Sequence, residues 1–205
     1  MKSKEGLLVV LSSPSGGGKT TLCNRLTEAD TNVVRSISCT TRPPRSAEVK
    51  DRDYYFLTPD DFEKRVARGE FLEHAQVHGH YYGTLRKTVE DLLAAGHDAL
   101  LNIDVQGAAT VCKLAKADPR LCRALVSVFL MPSSLQLLEQ RLRRRGTDDE
   151  ATIARRLAEA RREMARWREY DYVIETGSME EDYRRMQAIL DAEHSRSGRL
   201  NFETE

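Results

Sequence analysis

Residues 12–22 combine glycine, lysine and hydroxyl side chains in a pattern that binds phosphate. They read Ser-Ser-Pro-Ser-Gly-Gly-Gly-Lys-Thr-Thr-Leu and directly follow an apolar run at residues 7–11. Three successive glycines let backbone N–H groups turn toward one anion, because glycine accepts positive φ at little steric cost. Lys19 adds a charge for the outer phosphates, and the Thr20 hydroxyl is placed to bind Mg²⁺. The predicted nucleotide phosphate site consists of Ser13, Pro14, Ser15, Gly16, Gly17, Gly18, Lys19, Thr20 and Thr21.

One position departs from the usual G-x-x-x-x-G-K-[ST] pattern. Ser13 stands five residues before Gly18, where the pattern has glycine. Taken alone, the stretch also fits a serine- and glycine-rich surface turn that contains a lysine. The apolar run before it and the helical spacing of Leu22 and Leu26 after it supply the strand, loop and helix that a phosphate site requires, so the context favours phosphate binding.

A second stretch, at residues 38–56, carries basic and aromatic side chains suited to another phosphate. Arg42 and Arg45 stand three apart and are separated by a stiff Pro-Pro pair, so they can grip one phosphate from two sides. Tyr54 can donate a further hydrogen bond. Taken alone, the stretch also fits an ordinary basic loop that pairs with three nearby acids, Glu48, Asp51 and Asp53.

Glu73 and Thr84 have side chains that can recognise a purine base. A carboxylate accepts two hydrogen bonds from guanine N1 and N2, an edge that adenine does not present, and a hydroxyl can donate to guanine O6. Taken alone, Glu73 also fits a solvated acid. The nearby His78 and His80 have no third metal ligand in view, which is typical of a polar loop.

Apolar runs and helical patterns alternate along the chain and provide the scaffold for these groups. Strands are predicted at residues 7–11, 33–38, 99–104, 124–130 and 172–174. One helix is predicted from Pro59 to Gly69, and a second carries Val89, Leu92 and Leu93 and ends at Gly96. Further helices are predicted around residues 135–142 and from Asp149 through Trp167. The alternation predicts an α/β fold with a parallel sheet covered on both faces. Residues 39–84 interrupt the rhythm and are predicted to form a binding insertion.

The composition limits the classes of partner and location. Lys+Arg and Asp+Glu both total 32, so the net charge of zero predicts no global attraction to nucleic acid or membranes. The apolar stretches are far shorter than the roughly 20 residues of a membrane span, and the N-terminus lacks a signal-peptide pattern. We therefore expect a cytoplasmic protein without nucleic-acid or membrane partners. Cys23, Cys39, Cys112 and Cys122 lack paired spacing, which predicts reduced thiols and no zinc site.

Taken together, the motifs resemble those of the guanylate kinases over residues 7–172. In order they are S-x-T-T-R-x-x-R, D-Y-x-F, the G-E-F-x-E run, Y-Y-G-T and I-D-V-Q-G. The resemblance implies a P-loop kinase core with a parallel sheet flanked by helices, a GMP-binding insert and a helical lid. The implied parts are residues 1–37 for the core with the phosphate loop, 38–88 for the GMP-binding region, 89–132 for further core, 133–168 for the lid and its flanking helices, and 169–205 for the C-terminal strand and helix of the core.

The resemblance also implies roles for individual residues. The GMP phosphate would be held by Ser38, Arg42, Arg45, Tyr54 and Tyr82. Guanine would be read by Glu73 and Thr84, with Gly83 in the same turn and Asp104 closing the site near base and metal. The catalytic cations would be Lys19, Arg42 and the lid arginines Arg141, Arg145 and Arg156. Phosphoryl transfer depends on such positioning and charge more than on covalent help. Taken alone, the basic run 141–168 also fits a solvated helix face.

Two positions depart from the guanylate kinase pattern. Asn102 stands where similar proteins usually carry Asp or Glu, which removes one negative charge and is expected to weaken Mg²⁺ or GMP binding modestly. Glu175-Thr176-Gly177 replaces the usual asparagine and acidic run, which lies close to the adenine in similar enzymes, so contacts to the base of ATP are expected to differ.

The resulting hypothesis is transfer of the γ-phosphoryl group of MgATP to GMP or dGMP, giving ADP and GDP in purine nucleotide metabolism. Two alternatives share the same scaffold. One is a catalytically inactive module that binds phosphopeptides, which the intact Gly18-Lys19-Thr20 and the free-standing chain disfavour. The other is a kinase for ribose 1,5-bisphosphate, which the purine-reading Glu73 and the turn 82–84 disfavour. The pattern is equally compatible with a monomer and a homo-oligomer.

Overall fold

The computed structural model describes residues 5–46, 48–77, 79–144 and 149–200. The strands in this part of the chain are β1 (Leu8–Ser12), β2 (Val33–Arg35), β3 (Cys39–Thr40), β4 (Tyr55–Phe56), β5 (Phe71–Val77), β6 (His80–Leu85), β7 (Asp98–Asn102), β8 (Leu125–Met131) and β9 (Tyr172–Glu175). The helices are α1 (Lys19–Ala29), α2 (Pro59–Ala67), α3 (Arg86–Ala94), α4 (Val105–Ala117), α5 (Pro119–Ala124), α6 (Leu135–Arg144), α7 (Glu150–Met164) and α8 (Met179–His194). Short 3₁₀ helices cover Trp167–Glu169 and Ser197–Arg199.

The central sheet has the strand order β2-β7-β1-β8-β9, and all its pairings are parallel. β1 lies in the middle and is buried along its whole length, with Leu8 opposite Ala99 of β7 and Leu125 of β8. Because the strands are parallel, their carboxyl ends meet at one edge, and the loop between β1 and α1 opens there. The predicted α/β fold with a parallel sheet flanked by helices is confirmed.

Successive side chains of β1 enter hydrophobic cores on opposite faces of the central sheet, as the two-residue period of a strand requires. Val9 belongs to a core that α1 and α8 cover with residues such as Leu22 and Met186. Val10 belongs to a second core, which includes Val89 of α3 and Val111 of α4. The helices packed on both faces hold the central sheet in place, and with it the edge where the loop between β1 and α1 opens.

Residues 39–85 build a second, mixed sheet with the order β4-β3-β6-β5. β5 and β6 form an antiparallel hairpin, and β3 pairs antiparallel with β6 and parallel with β4. Phe62 of α2 stacks on Phe71 and Tyr81, with ring centroids 4.5 and 5.3 Å apart. A Cβ on Gly83 would lie 2.8 Å from Phe71 Cδ1, so glycine at this position leaves room for the aromatic cluster.

The strand predicted for residues 33–38 is shorter than expected. β2 ends at Arg35, and the Ser36 N–H still donates to Leu100 O at 3.0 Å. The chain then leaves the central sheet, since Ser38 O accepts from the N–H of Tyr55 in the second sheet at 2.9 Å. The prediction failed because one β-rich stretch supplies two different sheets.

The helix predicted from Asp149 through Trp167 also ends early, at Met164. The Arg166 N–H donates to Glu163 O at 3.1 Å, three residues back instead of four. This tighter bond is typical of a 3₁₀ turn, and Trp167 accordingly begins the 3₁₀ helix Trp167–Glu169.

The four cysteines all lie in the described part of the chain, and all four are free thiols. Burial raises the pKa of Cys23 to about 12 and that of Cys39 to about 11, so these two thiols are poor nucleophiles at neutral pH. In the described part of the chain, none of the helices has the length and apolar character needed to cross a membrane.

Candidate active site

The loop between β1 and α1 has the backbone geometry of a phosphate cradle. Gly16 and Gly18 have φ of 86° and 98°, a region that glycine enters at little cost. Gly17 is needed for space instead, because its Cβ would lie 2.8 Å from Ser13 Cβ. The Lys19 ammonium folds back over the loop and donates to Ser13 O at 2.7 Å and to Ser13 Oγ at 3.1 Å. Ser13, the departure from the usual pattern, thus gives Lys19 an extra acceptor.

Oxygen donors gather beside this loop at the carboxyl ends of β1 and β7. Thr20 Oγ1 accepts from the amide of Asn102 at 3.3 Å. Asp104, predicted at the end of a strand, is instead the N-cap of α4, where its Oδ1 accepts from the Gly107 N–H at 3.0 Å. Hydroxyl, amide and carboxylate oxygens are the ligands that Mg²⁺ prefers, and Mg²⁺ usually takes only one or two of them together with substrate phosphates. This donor set therefore fits Mg²⁺ bound with a nucleotide.

A cleft of about 180 Å³ runs from the phosphate loop to the second sheet. Lys19 and Thr20 line one end of the cleft, and Asn102 lies beside them. The predicted GMP-binding residues that line it are Ser38, Tyr54, Glu73, Tyr82, Gly83 and Asp104. The fold thus brings two distant stretches of the sequence to the same cleft.

Glu73 presents a buried carboxylate to this cleft, with only 4% of the residue exposed. Its Oε1 accepts the hydroxyl proton of Thr84 at 2.6 Å. Burial raises the pKa of Glu73 to about 7, the Thr84 hydrogen bond opposes this, and the charge of Asp104 adds to it. Thr84, expected to face guanine O6, is fully buried and donates to Glu73 instead. The side chain and the backbone N–H of Thr84 both favour the ionised carboxylate, but burial outweighs them.

Arg42 is held in place by an acid that the sequence analysis weighed only as part of an ordinary basic loop. Its Nη2 donates to both carboxylate oxygens of Glu48, at 2.8 and 2.9 Å, and its Nε donates to Tyr82 Oη at 3.2 Å. Although burial opposes it, the hydrogen bonds from Arg42 and from the Arg45 N–H keep the pKa of Glu48 below its ordinary value. The Arg45 side chain is 71% exposed, with Nη1 3.9 Å from Glu48 Oε1. Glu48 therefore lies between the two arginines.

Helix α6, in the predicted lid region, contacts the phosphate loop directly. A Cβ on Gly16 would lie 3.1 Å from Leu138 Cδ1 and 3.6 Å from Leu142 Cδ2, so α6 rests on the loop. Arg141 precedes Leu142 on the same helix, and Arg156 is half-buried on α7. Arg145, the third lid arginine predicted from the sequence, lies outside the described residues.

Acidic side chains connect α6 to α7 and α7 to the phosphate loop. Arg143 near the end of α6 pairs with Glu139 at 2.9 Å and with Glu150 at the start of α7. Near the end of α7, Glu163 accepts a hydrogen bond from the Ser15 N–H, and burial raises its pKa while the charge of Lys19 opposes the rise. Sequence reasoning missed Glu163, although its place three residues after the buried Ala160 puts it on the inward side of α7.

Comparison with known proteins decides the family. A sequence profile described as Guanylate kinase matches residues 5–193. The chain belongs to the guanylate kinase family. The guanylate kinase of Paramagnetospirillum magneticum is 44% identical over 93% of this chain and 86% of its own length. The guanylate kinase of Sphingopyxis alaskensis is 47% identical over 93% and 84%. The crystal structure of guanylate kinase from Anaplasma phagocytophilum is 36% identical, superposes with a TM-score of 0.81 and covers 98% of this chain and 92% of that one.

Within the guanylate kinase fold, the second departure from the family motifs forms a self-contained turn. Thr176 is buried, and its N–H donates to Met131 O at 2.8 Å at the end of β8. The Gly177 N–H donates to Asp182 Oδ1 at 2.9 Å, and Ser178 begins α8 with a capping box. The turn therefore satisfies the backbone N–H groups of Thr176, Gly177 and Ser178 within the protein.

Proposed function

We propose that this chain transfers the γ-phosphoryl group of ATP to GMP, or to dGMP, giving ADP and GDP. An oxygen of the GMP phosphate attacks the γ-phosphorus, the bond from that phosphorus to its bridging oxygen breaks, and ADP leaves with the bridging oxygen. The observation that carries the proposal is the single cleft that joins Lys19 and Thr20 to the buried Glu73 carboxylate. The cleft offers a phosphate site and a base site at its two ends, and the family membership supports the same reaction.

Glu73 is the residue that we assign to base selection. Guanine presents N1–H and N2–H donors side by side, and the buried Glu73 carboxylate gains two charge-assisted hydrogen bonds when guanine enters. Adenine presents the unprotonated N1 at this edge and leaves the carboxylate unpaired. A site built to hydrogen-bond one edge rejects a base without it, because its own buried polar groups stay unpaired.

We assign the GMP phosphate to Arg42 and Arg45, with Ser38, Tyr54 and Tyr82 as further donors. Arg42 already lies beside Tyr82, and Tyr54 stands edge-on to Tyr82 with ring centroids 6.1 Å apart. The phosphate would share the two guanidinium groups with Glu48. The acceptor oxygen is anionic before reaction, so no general base is needed and catalysis consists of alignment and charge stabilisation.

The β- and γ-phosphates of ATP are assigned to residues 13–21, with the Lys19 charge on the outer phosphates. Thr20, Asn102 and Asp104 would hold Mg²⁺, which when bound neutralises charge on these phosphates. Arg141 and Arg156 would add charge from the lid, together with Arg145, and lid closure would exclude water from the γ-phosphate. We retain residues 38–88 as the GMP-binding region and 133–168 as the lid and its flanking helices, between stretches of core at 1–37, 89–132 and 169–205. We further propose a cytoplasmic location, where ATP and GMP are available, and no nucleic-acid partner.

A coupled assay of ADP release tests the proposal. MgATP is supplied with GMP, dGMP, AMP, CMP, UMP, dTMP or ribose 1,5-bisphosphate in turn. Turnover selective for the guanine nucleotides is expected. Rapid turnover of another acceptor would contradict the role of Glu73, and nucleotide binding without turnover of any acceptor would favour an inactive binding module.

Lys19→Ala provides the matching test of the phosphate loop. Turnover should fall by at least about a hundredfold, because a charge aimed at the transferring group is lost. Lys87→Ala is the control, since Lys87 is exposed on α3 and pairs with Asp91 of the same helix at 3.0 Å. Substantial activity in Lys19→Ala with an unchanged melting temperature would contradict the assignment of the loop.

A further inference from the structure

Helix α4 begins directly behind the buried carboxylate of Glu73. The N-cap of this helix is Asp104, so Gly107 occupies the third position of its first turn. A Cβ on Gly107 would lie 2.6 Å from Glu73 Oε2 and 3.2 Å from Glu73 Cδ. A carbon and an oxygen do not approach to 2.6 Å without a shift, so only glycine leaves the carboxylate where it stands.

The backbone does not explain why this residue is glycine. Gly107 does not belong to the described glycines with positive φ, and it lies inside a regular helix. Glycine in a helix costs about 0.5–1 kcal/mol relative to alanine, and alanine follows it at position 108. A residue with low helix propensity thus stands inside a helix next to Glu73, and such exceptions to local propensity concentrate at functional sites.

The Glu73 carboxylate is confined from two sides. On one side Oε1 accepts the Thr84 hydroxyl at 2.6 Å, and on the other side Oε2 meets the bare Cα of Gly107. The two contacts fix the plane of the carboxylate, and that plane decides whether both oxygens can accept from neighbouring donors on one base.

We propose that Gly107 is a positioning residue for guanine selection, because it lets α4 close behind Glu73 and hold both carboxylate oxygens toward the base. The inference rests on the proposed function, since Glu73 selects guanine only if GMP is the acceptor. Gly107 touches no substrate in this assignment. A Cβ at this position would also lie 3.2 Å from Asp104 Oδ1, but the closer approach of 2.6 Å to Glu73 Oε2 makes Glu73 the residue through which it chiefly acts.

Gly107→Ala should therefore affect GMP far more than stability. Glu73 Oε2 is the far end of a flexible side chain, so the carboxylate can rotate away from the new methyl group at little cost to folding. Hydrogen bonds weaken steeply once their angles are poor. We expect the KM for GMP to rise about ten- to a hundredfold, as for one or two lost charge-assisted hydrogen bonds. The KM for ATP and kcat at saturating GMP should change less than about twofold.

The first experiment compares Gly107→Ala with Gly198→Ala in the ADP-release assay, with melting temperatures for both. Gly198 is the matched control, because among the described residues no atom beyond its two chain neighbours lies within 4 Å of where its Cβ would stand. Inosine monophosphate, which lacks the 2-amino group, serves as a second acceptor. The preference for GMP over inosine monophosphate should shrink in Gly107→Ala and stay at the wild-type ratio in Gly198→Ala. A melting temperature within a few degrees of the wild type would show that folding is intact.

A double-mutant cycle with Glu73→Asp isolates the contact. The shorter side chain withdraws the carboxylate from position 107, so Gly107→Ala should add less than about twofold to the KM for GMP in that background. An unchanged KM in the single variant, or an equal increase in both backgrounds, would overturn the inference. Failure of the proposed function would be visible in the wild type itself, as absence of GMP turnover, and would overturn both.

Discussion

Glu73→Gln is expected to stabilise the ligand-free protein at alkaline pH, even though it removes the group assigned to base selection. Burial raises the pKa of Glu73 from 4.5 to about 7. The native state then binds a proton more tightly than the unfolded chain does. The free energy of unfolding therefore falls as the pH rises from about 4.5 through about 7, and this loss is complete above about pH 8.

The size of the effect follows from the same two values. The difference between 4.5 and about 7, at about 1.4 kcal/mol per pH unit, corresponds to about 3 kcal/mol. Glutamine has a similar shape and still offers an oxygen to the Thr84 hydroxyl, but it carries no charge to desolvate. We expect Glu73→Gln to raise the free energy of unfolding by up to about 3 kcal/mol at pH 8.5 and to change it little at pH 5.

Urea unfolding at these two pH values measures the effect. Glu63→Gln is the control, because Glu63 is exposed on α2 and its charge should matter equally little at both pH values. A Glu73→Gln protein that is less stable than the wild type at pH 8.5, or that differs from it equally at both pH values, would refute the reasoning.

The same carboxylate predicts a proton balance for GMP binding. If guanine binds Glu73 as proposed, it needs the ionised carboxylate, so binding at pH 7 should release about half a proton and the KM for GMP should rise as the pH falls below about 7. Calorimetric titration in two buffers with different ionisation enthalpies measures the released proton. Binding without proton release at pH 7 would contradict either the raised pKa or the contact with the base.

Three further changes test other parts of the cleft. Glu48→Gln should lower the free energy of unfolding by about 1–3 kcal/mol, because it leaves the largely buried Arg42 without its carboxylate. Urea unfolding measures this change, and Glu63→Gln is the control. Asn102→Asp should lower the Mg²⁺ concentration at half-maximal turnover several-fold, since it places a carboxylate beside Thr20. A titration of ADP release with Mg²⁺ measures this concentration. An unchanged midpoint would show that Asn102 does not belong to the metal site. Glu163→Gln should strengthen ATP binding several-fold, because it removes a negative charge beside Lys19 and the Ser15 N–H. Fluorescence titration with a labelled ATP measures this affinity. Weaker binding would contradict the prediction and indicate that Glu163 stabilises the phosphate loop.

The parts of the molecule that short-range rules dictate could be predicted from the sequence. The phosphate loop is local, because the glycines that set its backbone are consecutive and the strand and helix on either side are adjacent in the chain. The helix at Pro59 begins as its capping residues indicate, with Thr58 accepting from the Asp61 N–H. The parallel sheet follows from the alternation of strands and helices, but its order, with β7 and β8 on either side of β1, depends on contacts between distant segments.

The neighbouring sequence does not indicate the side-chain contacts that complete the cleft. Nothing near Gly107 in the chain indicates that Glu73, on another sheet, will occupy the space of its missing side chain. The pairing of Arg42 with Glu48 was one of several pairings that the charges allowed, and geometry alone selects it. Leu138 and Leu142 read as an ordinary apolar helix face, and only the folded chain places them on Gly16. Residue types could therefore be predicted for the site, but their partners could not.

The contact between Gly107 and Glu73 also joins the two sheets of the molecule. Gly107 belongs to a helix packed on the central sheet, whereas Glu73 lies on β5 of the second sheet, and the two elements pack together there. A hinge motion that swings the second sheet away to admit an acceptor would also release the carboxylate from its confinement. Base discrimination would then exist only in the closed state, so a wrong base would fail at the step of closure and the donor phosphates would stay unaligned.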